Sequence, residues 1–136
     1  MDKLPRLPDL NAQRAAMKKL EFLIGKWNGQ ARLLRGPGEW VDLHQSEDAQ
    51  YKLDGLILVI EGVGRTITDG HSVLQALGII SFDDESATYR LRAFNDGRFL
   101  ESDVKLLDQD AGIRWGFVLG QIKTQSVLRI DRKSVV

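Results

Sequence analysis

Seven short breaks rich in glycine and aspartate divide the chain beyond residue 25. They are Gly36-Pro37-Gly38, Asp54-Gly55, Asp69-Gly70, Asp83-Asp84, Asp96-Gly97, Asp108 to Gly112, and Gly120. Glycine accepts positive φ without a steric cost and aspartate bonds to its own nearby backbone, so these pairs are turn chemistry. Breaks this short join only antiparallel neighbours, because a parallel crossover needs a dozen or more residues. Between the breaks the pattern has period two. Trp27, Gly29, Ala31 and Leu33 alternate with polar residues, as do Val41, Leu43, Gln45, Glu47, Ala49 and Tyr51, and later Tyr89, Leu91 and Ala93. That is the alternation of strands with two different faces. The expected strands run over 26–35, 40–53, 56–67, 72–82, 87–95, 98–107, 112–119 and 121–131. The fold class this predicts is all-β: an antiparallel up-and-down meander of about eight strands curled into a barrel.

One helix precedes the strands. Pro5 and Pro8 make residues 1–10 an extended arm. Asn11 is a good N-cap type, and Ala12, Ala16, Leu20, Leu23 and Ile24 form a stripe at helical spacing. The helix is expected over 11–24, ending at Gly25, with residues 11–136 forming a single domain. A chain of 136 residues holds a core of its own. The 19 basic and 19 acidic residues cancel. A neutral chain lacks the basic footprint of a nucleic-acid binder. The longest aliphatic run, Leu56 to Ile60, is far too short to span a bilayer, and Met1 to Pro8 has no secretory h-region. There is no cysteine, which removes disulfides, thiolate zinc sites and cysteine nucleophiles. These features fit a cytoplasmic protein with no nucleic-acid or membrane partner.

The order helix, glycine, any residue, tryptophan, strand occurs in Leu20-Glu21-Phe22-Leu23-Ile24-Gly25-Lys26-Trp27. It resembles the opening of the calycin barrels, the lipocalins and fatty-acid-binding proteins. The wider pattern is similar to an uncharacterised bacterial family of lipocalin-like barrels. Leu58-Val59-Ile60-Glu61-Gly62, Ala76 to Asp83, Tyr89 to Phe94 and Trp115-Gly116-Phe117 carry that resemblance over residues 17–131. Members usually continue past the last strand with a hairpin that closes the barrel, whereas this chain stops at Val136. The resemblance therefore implies one of two outcomes. Two edges stay unpaired and a second copy completes the barrel as a homodimer, or eight strands close by themselves.

Polar residues on an inward barrel face are the informative ones. Gln45 and Glu47 share the face of Leu43 and Tyr51, and Glu61 sits in the most apolar strand. Fatty-acid-binding proteins orient ligands with interior arginines, and the resemblance makes Arg92 the candidate, paired with Glu61 or Glu47. The expected lining adds Trp27, Leu91, Phe94 and Trp115. Glu101 and Asp103 share a face with Lys105, which reads as a solvated face with cross-strand ion pairs. His44 and His71 lack companion ligands, so no metal site is expected and no cofactor either. Some lipocalin-like barrels hold haem through a late histidine, and none follows His71. No catalytic set emerges, so an enzyme ranks behind two other classes. The first is a carrier of a small apolar or amphipathic ligand. The second is a self-associating module with a filled barrel.

Overall fold

The computed structural model of the chain describes residues 6–95, 97–107, 112–119 and 122–129. A helix, α1 (Leu10–Lys18), and a 3-10 turn at Glu21–Leu23 precede eight strands. These are β1 (Gly25–Gly36), β2 (Glu39–Lys52), β3 (Ile57–Thr66), β4 (Ser72–Asp83), β5 (Thr88–Asn95), β6 (Arg98–Leu106), β7 (Gly112–Leu119) and β8 (Ile122–Arg129). They form one antiparallel sheet in sequence order, curled as a half-barrel. The all-β up-and-down architecture expected from the turn spacing is the one observed. Among the described residues no pairing joins β1 to β8.

The turns work through their aspartates. The Asp83 carboxylate accepts from the Glu85 N–H at 3.1 Å and the Ser86 hydroxyl at 2.9 Å. The Asp69 carboxylate accepts from Thr66 Oγ1 and the His71 N–H. These bonds replace ladder bonds that stop at the strand ends.

The helix is shorter than the sequence pattern implies, and its cap is Asp9 rather than Asn11. The Asp9 carboxylate accepts from the Ala12 N–H at 3.0 Å. The helix ends early because other groups take its last carbonyls. The Tyr89 hydroxyl donates to Ala16 O at 2.6 Å, and the Tyr51 hydroxyl donates to Met17 O at 2.7 Å. The N–H groups of Lys19 and Leu20 tighten onto those same carbonyls in 3-10 fashion. Leu20 and Leu23 thereby keep their inward aim. Met17, which the predicted stripe omits, is fully buried with them.

Those three side chains fill one end of the curled sheet. They pack against Ala49, Leu58, Ile80, Leu91, Val104 and Ile113, one from each strand from β2 to β7. The cluster takes a residue from every one of six consecutive strands, so the sheet curls around the helical segment. All of the contributing residues lie toward the β2–β3, β4–β5 and β6–β7 turns. The helix therefore closes that end, and the residues toward the β1–β2, β3–β4 and β5–β6 turns line the other. At the boundary between the two, the indole of Trp27 donates to Leu23 O at 3.2 Å. No helix among the described residues is long and apolar enough to cross a membrane.

Candidate functional site

Strand alternation and register decide which side chains share the interior. Ala49, Leu58, Ile80, Leu91 and Val104 mark the inner face, and counting in twos from them fixes the rest. Glu47 lies in one cross-strand row with Trp27, Gly62, Ala76, Asn95 and Arg98. Gln45 lies in the next row toward the open end, between Gly29 and Gly64. Among the described residues, the register gives this face three charged side chains. Glu47 stands within the sheet, and Glu39 and Arg98 stand at hairpin tips.

Glycines make room for the polar pair. A Cβ at Gly62 would fall on the Glu47 carboxylate, and one at Gly64 would lie 2.6 Å from Gln45 Oε1. Both glycines are buried beneath those side chains. Their role is to let the two side chains approach the β3 backbone closely. Gly29, on the other flank of Gln45, is different: a Cβ there would meet nothing within 4 Å. Open space thus adjoins Gln45 on its β1 side.

The pair is half-buried and bonded internally. The Gln45 amide Nε2 donates to Glu47 Oε1 at 3.0 Å. Burial pushes the Glu47 carboxyl up to about 7, against a smaller opposing pull from the Gln45 amide. Gln45 Oε1 is buried without a hydrogen-bond partner, and so is Asn95 Oδ1. A buried acceptor without a partner costs about 1–3 kcal/mol, which an incoming donor would recover. The arrangement can accept hydrogen bonds from a bound group, and at neutral pH it can hold or release one proton.

Seven of the ten residues expected to line the interior share the inner face: Trp27, Leu43, Gln45, Glu47, Tyr51, Leu91 and Trp115. Of these, Leu43, Leu91 and Trp27 are buried, and Tyr51 is held under the helix by its hydroxyl. Glu61, Arg92 and Phe94 do not join them. All three are exposed on the outer face. The interior Glu61–Arg92 and Glu47–Arg92 pairs are therefore corrected. Successive strand residues point to opposite faces, so Arg92 cannot line the interior beside Leu91. Arg92 instead reaches Glu101 at 3.3 Å, and Arg90 reaches Asp103 at 2.7 Å, as cross-strand ion pairs in solvent.

The inner-face residues that escaped the sequence reading include Leu74 and two polar ones in β5 and β6. Asn95 continues the alternation of Tyr89, Leu91 and Ala93, and Arg98 faces it across the hairpin. Counting in twos from Tyr89 finds Asn95, and pairing across the two-residue Asp96-Gly97 break, which reverses the parity, finds Arg98. Among the described residues no three His, Asp or Glu side chains are grouped to hold a metal. Two hollows of about 950 and 520 Å³ open on the outer side of the sheet. The larger is bordered by the Arg90–Asp103 and Arg92–Glu101 pairs. Its charges are already matched and solvated, which leaves little to recognise a ligand. The smaller is bordered by Glu61, Val63, Leu77 and Phe94. No protein-family model matches the chain, and no curated protein matches it either.

Proposed function

We propose that the protein is a lipocalin-like carrier or sensor that holds a small amphipathic molecule in the open half of the curled sheet. The observation that carries this reading is the Gln45–Glu47 pair. It is a polar group set on the inner face, cushioned by Gly62 and Gly64, beside the open space at Gly29. A filled core has no use for an acceptor buried without a partner, whereas a binding site does. Apolar contacts would come from Trp27, Leu43 and Leu74, with Gln45 and Glu47 orienting the polar end. A few fixed polar groups in an apolar lining are the usual composition of such sites. The test is titration with the neutral fluorophore N-phenyl-1-naphthylamine, comparing the parent chain with Gly29→Leu. Saturable binding with one site per chain, lost when leucine fills the space at Gly29, is the expected result. Equal binding by both proteins would remove the site from that space.

A second reading, self-association, has its own observation. Phe94 and Phe99 are 45% and 52% exposed on the outer face, and their rings meet at a tilt of 52° with centroids 5.2 Å apart. Leu77 and Val63 extend that patch across β4 and β3. Adjoining apolar side chains on a sheet face are a surface for a second copy.

A further inference from the structure

Resting on the ligand-carrier reading above, we infer that the polar end of the bound molecule is a protonated amine, received by the Glu47 carboxylate and the Gln45 carbonyl oxygen. The valences on offer decide this. Gln45 Nε2 is already spent on Glu47 Oε1, which fixes the direction of the amide and leaves Oε1, over Gly64, unpartnered. Among the described residues, the other buried side-chain atom without a partner, Asn95 Oδ1, is also an acceptor. An ionised carboxylate is acceptor-only as well. The inner face therefore asks for a donor, and a carboxylic-acid ligand would meet acceptors and a like charge.

Charge gives the same answer. No basic side chain faces Glu47 from the strands packed against it: β1 presents Trp27 and Gly29, and β3 presents Gly62 and Gly64. Lys26, Asp48 and Glu61 lie on the opposite face, and Arg98 stands at the rim, four strands away from Glu47. Among the described residues, nothing neutralises Glu47 from within the site. An ammonium donates up to three hydrogen bonds and carries the missing charge. An alkyl tail on it would lie against Trp27, Leu43 and Leu74.

Binding is then coupled to a proton. An ammonium stabilises the ionised Glu47, so it displaces the proton that burial keeps on the carboxyl up to about pH 7. An alkylamine stays protonated across this range, as a lysine does. Its affinity should therefore fall about tenfold for each pH unit below 7 and level off above it.

The experiment displaces N-phenyl-1-naphthylamine from the protein with n-decylamine, n-decanol and decanoate at pH 8, then repeats the amine at pH 6. Decylamine should compete at least about tenfold better than decanol, and decanoate should compete worst. Glu47→Gln should bring decylamine to the level of decanol, each compared with the fluorophore's own affinity for that variant. Gly62→Ala, whose methyl group displaces the carboxylate, should do the same. Fluorophore binding with decanoate equal to or better than decylamine would overturn the amine assignment and leave the carrier reading standing. An amine preference that survives Glu47→Gln would overturn it too. If neither the fluorophore nor any decyl compound binds, the carrier reading falls and takes this inference with it.

Discussion

A single carboxyl group, Glu47, sets the pH response of the interior. Its proton is held more tightly in the folded chain than in the unfolded one, where a glutamate titrates near 4.5. A folded value raised to about 7 means stability is fullest below pH 4.5 and declines as the pH rises through 7. The loss amounts to as much as about 3 kcal/mol, an upper figure for a half-buried group. The turn aspartates Asp69, Asp83 and Asp84 run the other way. Hydrogen bonds hold them below their usual range, so their contribution is lost only in acid. Between pH 5 and 8 Glu47 therefore dominates. Thermal melting should find Glu47→Gln close to the parent at pH 5 and more stable than it at pH 8. A constant gap across that range would place the buried proton elsewhere. Glu47 and Gln45 were legible in the sequence because β2 alternates strictly over Val41 to Tyr51. Glu61 was not, since Leu56 to Ile60 is apolar on both faces and hides the parity. Only the register against Asp48 and Leu77 settles it.

At the level of elements, α1 is held less by its own helix propensity than by what grips it. Nine residues are too few for a stable isolated helix in water. Asp84, in the β4–β5 turn, accepts from the Asp9 N–H, the Gln13 amide and Arg6 at 2.8–2.9 Å. It gathers the start of the helix, while Tyr51 and Tyr89 gather its end. Tyr89→Phe removes one hydroxyl from Ala16 O and should cost about 1 kcal/mol in denaturant unfolding. Leu20→Ala, emptying a fully buried position at the centre of the core, should cost about 2–5 kcal/mol. Asp84→Ala should speed amide exchange over residues 9–18 while leaving β2 and β3 protected. Equal exchange in both proteins would show that the apolar contacts alone secure the helix. The apolar stripe predicted this helix and its inward face. It could not show where the helix stops, because that depends on tyrosines in β2 and β5, far off in sequence.

The molecule as a whole is a meander whose order was readable from its breaks, since each short turn permits a single antiparallel partner. Curling is a property of the helix and six strands together, and no local pattern encodes it. The outer surface carries its own consequence. If Phe94 and Phe99 join two copies, native mass spectrometry should find a dimer that the double variant Phe94→Ser/Phe99→Ser converts to monomer, with fluorophore binding retained. A parent chain that is monomeric at the same concentration would set that surface aside.

The sequential strand order also bears on assembly in time. Every hairpin closes a short loop, so each strand can pair as soon as its predecessor exists, with little entropy to surrender. The helix has no such near partner. Its ties to Asp84 and Tyr89 span 71 to 78 residues, and its core contacts reach as far as Ile113. On a ribosome the helix thus meets Tyr51 only 34 residues later, and Asp84 and Tyr89 more than 70 later, so Met17, Leu20 and Leu23 stay incompletely covered until those strands have been made.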